Sequence, residues 1–227
     1  MENRTINMAV LAEVASALGH MKDKVVFVGG AVVSLYTDDP AADEVRPTAD
    51  IDLTIDAVSL IDWIKIQEEL SLLGFSPDPQ GHSICSLKYK NIPIDIMSTS
   101  DGFFGGTNSW YKLGFEHLVP CQVGNEEISI LSSPFYLATK FEAFHNRGGD
   151  YRTSHDFEDI VYILDNRTTI VDEVRNSHKT VRDFLIREFT VLSENGNYIE
   201  YLSAHIHPFV ISSRLDIVKQ KISDILK

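Results

Sequence analysis

An α+β fold is predicted: a small mixed β-sheet flanked by helices, followed by a helical C-terminal subdomain. Three observations predict it. Short runs rich in β-branched and aromatic residues all fall before Leu131. From Ser133 onward the apolar spacing is helical throughout. The 227 residues, 44% hydrophobic and 23% charged, suffice for one large domain or two small ones sharing a core. The expected units are residues 1–132 and 133–227, joined near Leu131 to Pro134 without a break in composition.

The elements follow in order. Ile6, Val10, Leu11, Val14 and Leu18 are spaced as on a helix over residues 5–19, with Gly19 as its C-terminal stop. Lys24 to Val28 reads as a buried strand, Gly29-Gly30 as a turn, and Ala31 to Tyr36 as a short helix. Thr37 to Arg46 is acidic and contains Pro40, which predicts an exposed loop, with Asp38, Asp39, Asp43 and Glu44 solvated. Ile51 to Ile55 alternates as a strand, and Ser59 to Leu73 is an amphipathic helix ended by Gly74. Ser83 to Tyr89 and Ile92 to Met97 read as strands paired through a tight turn at Lys90-Asn91, and Glu127 to Leu131 as another strand. Helical patterns then cover 133–147, 155–165 and 168–194, and continue to the C-terminus.

Several function classes are disfavoured. No run of about 18 apolar residues is present to span a membrane, and no secretory signal is visible at the N-terminus. Cys85 and Cys121 have neither metal-knuckle nor disulfide-framework spacing, so reduced thiols in a cytoplasmic protein are expected. A formal net charge of −13 opposes extensive nucleic-acid binding but leaves room for an RNA end in a locally basic cleft. His205-Ile206-His207 lacks a third zinc ligand in a fitting pattern, and Trp63 and Trp110 are expected in the core. Arg175, Lys179, Arg182 and Arg187 interleave with Asp172, Glu173, Asp183 and Glu188, the pattern of a salt-bridged helix face.

The chemistry concentrates in three places. Asp50-Ile51-Asp52 puts two carboxylates on one face of a strand, because residues two apart point the same way. Adjacent anions repel, and a hard cation such as Mg2+ resolves the repulsion. Asp95 interrupts the otherwise apolar strand Ile92-Pro93-Ile94-Asp95-Ile96-Met97, where a carboxylate is costly unless paired or bound to metal. Pro93 leaves an edge position as the alternative. Phe27-Val28-Gly29-Gly30 carries a strand into a helix through two glycines, a turn that lets backbone N–H groups approach a phosphate.

Gly29-Gly30, Asp50-Ile51-Asp52 and Asp95 together resemble the nucleotidyltransferase superfamily to which DNA polymerase beta belongs. With Arg46 and Thr48 ahead of Asp50, then Lys140, Arg147 and the acidic stretch His155-Asp156-Phe157-Glu158-Asp159, the chain is most similar to the AbiEii-type toxin family. The resemblance covers roughly residues 25 to 165. It departs in Gly30, which replaces the serine of the commoner Gly-Ser turn, and in the longer acidic loop before Asp50.

The resemblance implies a nucleotidyltransferase core followed by a helical subdomain closing the cleft, with two Mg2+ ions (Mn2+ as substitute) about 3.5–4 Å apart on Asp50, Asp52 and Asp95. A nucleoside monophosphate would pass from a nucleoside triphosphate to an acceptor, with Asp95 either bridging an ion or acting as general base. Lys140 would neutralise phosphate charge. Gly29, Gly30, Arg46, Thr48 and Arg147 would contact the nucleotide. Asp156 would orient Lys140 or contact the nucleotide, although a helix-capping role explains it equally. A tRNA end, another translation component or a small molecule would be the acceptor, and an antitoxin protein a partner. Antibiotic-type transfer and a silent nucleotide- or partner-binding member of the fold are the alternatives.

Overall fold

The structure, a computed structural model, describes residues 2–56, 59–81, 85–99 and 108–227. The chain forms two compact units: Met1–Ser34 with Glu44–Ser132, and Leu35–Asp43 with Ser133–Lys227.

The first unit holds a seven-stranded mixed sheet. Its strands are β1 (Val25–Val28), β2 (Ile51–Ile55), β3 (Phe75–Pro77), β4 (Ser86–Tyr89), β5 (Ile92–Ser98), β6 (Leu118–Val123) and β7 (Glu126–Leu131), in the order β3-β4-β5-β2-β1-β7-β6. β1 runs antiparallel to β2 and parallel to β7, and β2 runs parallel to β5. The remaining neighbours are antiparallel. Helices α1 (Glu2–Leu18) and α2 (Leu60–Leu72) and the short α3 (Trp110–Gly114) complete the unit. α1 packs on β6 and β7 through Leu11, Val14 and Leu18, all fully buried.

β1 is buried along its whole length, as its four apolar residues require. In β2 and β5 one face carries Ile51, Leu53, Ile94 and Ile96 into the core, and the other carries Asp52 and Asp95. The β4–β5 turn holds Lys90 at φ 54°, beside Asn91, as the tight connection predicts. Ser83 and Ile84, the start of the expected strand, lie outside the described residues.

The short helix expected after the glycine turn is present as a 3₁₀ helix, Gly30–Tyr36. One expectation needs correction. The helix expected over 168–194 is two, α6 (Ile170–Arg175) and α7 (Lys179–Ser193), because α6 ends at Asn176 and His178 caps α7 by accepting from the Thr180 N–H. β3, β6 and α3 carry no clear sequence signal: β3 has three residues and ends on a proline, and β6 is an edge strand that carries Pro120.

The second unit contains α4 (Ser133–Asn146), α5 (His155–Asn166), α6, α7, α8 (Tyr198–Ser203) and α9 (Ile211–Ile225). α4 packs on α5, α6 and α7, and α9 packs on α5 and α6. Phe135, Phe141, Phe144, Phe157 and Phe189 fill this core. Residues 35–43 belong to the same unit, and their acids are not simply solvated. Asp39 accepts from Arg214 Nη1 at 2.8 Å, and Asp38 accepts from the Thr168 N–H at 2.6 Å. Arg214 also donates to Asp165 at 2.6 Å and to Asn166 Oδ1 at 3.0 Å, so α9 ties the segment to the end of α5. Burial pushes the Asp165 carboxyl up, with Arg214 pulling the other way. On α7, Lys179 pairs with Asp183 and Arg187 lies 3.8 Å from Glu188, while Arg182 on α7 and Arg175 at the end of α6 donate to backbone carbonyls. Among the described residues no helix is long and apolar enough to cross a membrane.

Candidate active site

Register brings the acidic residues of the first unit together. Asp52 pairs across β1–β2 with Val28, the residue before the glycine turn, and across β2–β5 with Asp95. Cross-strand partners share a face, so the two carboxylates are neighbours. Asp50 lies two residues ahead of Asp52. Asp50, Asp52 and Asp95 each offer an oxygen within 4.8 Å of the others, and all three are partly exposed. They are the one group of three or more potential metal ligands among the described residues. The donor set is all carboxylate oxygen, which suits hard Mg2+ or Mn2+ better than a soft transition metal. The residues present therefore fit a divalent cation.

The glycine turn is built around these acids. Gly29 sits at φ +71°, a conformation that side-chain-bearing residues rarely adopt, and a Cβ there would come within 1.8 Å of Asp52 Oδ2. Both its backbone angle and its proximity to Asp52 demand glycine. At Gly30 a Cβ would meet Arg46 Nη2 at 2.3 Å and Thr48 Oγ1 at 3.4 Å. The departure from the commoner Gly-Ser turn thus has a local reason: a serine side chain would compete for the space that the Arg46 guanidinium occupies. Gly29, Gly30, Arg46, Thr48, Asp50, Asp52 and Asp95 all belong to the first unit. A cavity of about 110 Å³ opens beside Asp50, lined in part by Asn7, Ala31, Thr48 and Pro93. Asn7 Nδ2 and Thr48 Oγ1 are buried there without a hydrogen-bond partner among the described residues.

Asp95 has a neighbour that sequence reasoning missed. Ser86 Oγ donates to Asp95 Oδ1 at 2.6 Å, and Ser86 is the β4 partner of Asp95 in register. Burial, with the Asp95 charge adding to it, pushes the adjacent Cys85 thiol up to about 11.

Lys140, Arg147 and Asp156 meet in the second unit. Lys140, only 6% exposed, lies 2.7 Å from Asp159 Oδ2 and donates to Asp156 Oδ1 at 3.2 Å. Arg147 Nη1 donates to the other Asp156 oxygen at 2.8 Å. Lys140 is therefore no solvated surface lysine. Asp156 is not the cap of α5 either, because Ser154 fills that role by accepting from the Phe157 N–H. Asp159, one turn further along α5, supplies the shorter contact to Lys140. His205 contacts the Tyr151 carbonyl oxygen at 2.7 Å, and Trp63 is buried in the core.

Known proteins resemble this chain in fold. An antigenic nucleotidyltransferase-like protein from Paracoccidioides brasiliensis superposes with a TM-score of 0.50 and 18% identity, over 88% of this chain and 93% of that one. The chain has a nucleotidyltransferase-like fold. Two structures of ANT(2'')-Ia also match. The antibiotic-resistance factor in solution gives TM-score 0.49 and 11% identity over 83% and 96% of the two chains. Its complex with adenylyl-2''-tobramycin gives 0.34 and 9% over 96% and 95%. No family model matches the chain, and no curated protein matches its sequence.

Proposed function

We propose that this chain is a metal-dependent nucleotidyltransferase that transfers a nucleoside monophosphate from a nucleoside triphosphate to an acceptor hydroxyl or phosphate. The observation that carries the reading is the convergence of Asp50, Asp52 and Asp95 beside a glycine turn that makes room for Asp52. Asp50, Asp52 and Asp95 would hold Mg2+, which supplies charge neutralisation for the triphosphate and activates the acceptor oxygen. The chain's own residues position the substrate. The turn at Gly29-Gly30 has no Cβ to block a phosphate, and Arg46 lies over Gly30 with a cationic guanidinium suited to phosphate oxygens. Asp156 and Asp159 hold the Lys140 Nζ in place, and Arg147, largely exposed, keeps further N–H donors toward solvent. In this reading Lys140 and Arg147 are the phosphate ligands of the second unit, and Asp156 orients both. A silent, merely binding member of the fold would have no use for three repelling carboxylates held this close.

The narrower reading is a toxin of a toxin–antitoxin pair acting on a tRNA end or another translation component. Arg46 and Thr48 ahead of Asp50-Ile51-Asp52, with Lys140, Arg147 and Asp156 downstream, support it. The second reading, a small-molecule acceptor, is favoured by the net charge of −13, which opposes a large RNA footprint. Growth arrest on expression, relieved by Asp52→Ala, supports the toxin. A harmless wild type that modifies an antibiotic replaces it with the small-acceptor reading.

Calorimetric titration of non-hydrolysable nucleoside triphosphate analogues tests the core of the proposal. Magnesium-dependent binding by wild type, lost in Asp52→Asn, is the expected result. Binding that is indifferent to magnesium and to Asp52→Asn would refute it.

A further inference from the structure

The sheet register sets Ser86, Asp95 and Asp52 in one row across β4, β5 and β2. Ser86 Oγ donates to Asp95 Oδ1 at 2.6 Å, and Ser86 is only 4% exposed. Its position is itself constrained. A Cβ on Gly81 would come within 2.1 Å of Ser86 Cβ, so a glycine packs directly against the serine. The acids differ in this support. Neither Asp50 nor Asp95 forms an ion pair with a described residue, yet Asp95 has a buried hydroxyl bonded to one of its oxygens.

A carboxylate on an otherwise apolar strand can rotate about its last bond, and its two oxygens are equivalent until something distinguishes them. A short hydrogen bond to one oxygen from the side opposite Asp52 fixes the rotation and holds the group toward the other two acids. Outer partners of this kind orient metal ligands, and their loss typically weakens metal binding.

We propose that Ser86 is a positioning residue that aims Asp95 at the divalent cation held with Asp50 and Asp52. The inference rests on the metal-binding reading given above. It assigns Ser86 no contact with substrate or with the ion, and its effect passes through Asp95 alone.

The test is Mn2+ titration of the nucleotide-free protein, followed by electron paramagnetic resonance of the free ion, for wild type, Ser86→Ala, Ser86→Thr, Ser86→Val and Asp95→Asn. Thr and Val have nearly the same shape, so their comparison isolates the hydroxyl from any crowding against Gly81. Thermal melting of each variant checks folding. The expected result is Mn2+ affinity lowered about 10–100-fold in Ser86→Val and Ser86→Ala, near wild type in Ser86→Thr, and lowered at least as far in Asp95→Asn. Equal affinities for Ser86→Thr and Ser86→Val, with Asp95→Asn still impaired, would overturn the role of Ser86 and leave the metal site standing. Wild type indistinguishable from Asp95→Asn would overturn the metal site and this inference with it.

Discussion

Asp156 and Asp159 in the second unit and Asp50, Asp52 and Asp95 in the first are both clusters of carboxylates, held in opposite electrostatic settings. Asp156 and Asp159 are almost fully buried, and the chain supplies their counter-ions: Lys140 lies against both, and Arg147 takes the second oxygen of Asp156. The first cluster is partly exposed, and neither Asp50 nor Asp95 is matched by a lysine or arginine among the described residues. Buried charges persist only when paired, so the second cluster is complete in itself. In the proposed reading the first is where a cation from outside binds. The proposal thus sets an ion-binding cluster against one that holds a lysine in place.

Substitutions that neutralise one member of each cluster should therefore have unlike consequences. The largest effect expected is on chemistry: Asp52→Asn should lower kcat/KM for nucleotidyl transfer by about 10³-fold or more, measured with radiolabelled nucleoside triphosphates once an acceptor is found. An unchanged rate would remove the first cluster from the mechanism. Lys140→Met should destabilise the fold by about 3–5 kcal/mol in urea denaturation, because it removes the ammonium that faces both buried carboxylates and leaves Arg147 to pair Asp156 alone. A loss below about 1 kcal/mol would mean that water or rearrangement satisfies them, and the contrast between the clusters would weaken. Gly29→Ala should cost about 1–3 kcal/mol through its positive φ alone and should also displace Asp52, so loss of magnesium response should accompany the loss of stability. The smallest effect concerns Cys85, whose thiol is buried beside Asp95 and pushed up to about 11. At pH 8 it should react with iodoacetamide much more slowly than Cys121 on the edge strand, as peptide mapping would report.

The unequal legibility of the two clusters in the sequence has a physical basis. Asp52 and Asp95 stand out because one lies near the start of an alternating strand and the other breaks an apolar run. Asp50, expected on the same strand face, instead lies in the bend just before β2, yet still brings its carboxylate to the cluster. Gly29-Gly30 is legible as a turn, but its close approach to Asp52 depends on the β1–β2 register, which no local pattern specifies. Ser86 is invisible for the same reason: an uncharged hydroxyl gains meaning only when β4 pairs with β5. Asp38 and Asp39 have the composition of a solvated loop, and their partners Thr168 and Arg214 lie more than a hundred residues away. By sequence alone, capping suits Asp156 equally, since a carboxylate in the first turn of a helix is common. Only the side-chain positions of Lys140, Arg147 and Ser154 separate the two roles.

The measurement that tests the ion-binding claim most directly compares Asp50→Asn with Asp156→Asn in urea, each in EDTA and in excess Mg2+. In EDTA, Asp50→Asn should match or exceed wild type, by about 1 kcal/mol, because a repulsion is relieved. Asp156→Asn should fall below it. Mg2+ should stabilise wild type and Asp156→Asn by mass action, and should leave Asp50→Asn with little or no gain. If Mg2+ stabilises none of the three, or stabilises Asp50→Asn as much as wild type, the three carboxylates are not an ion site.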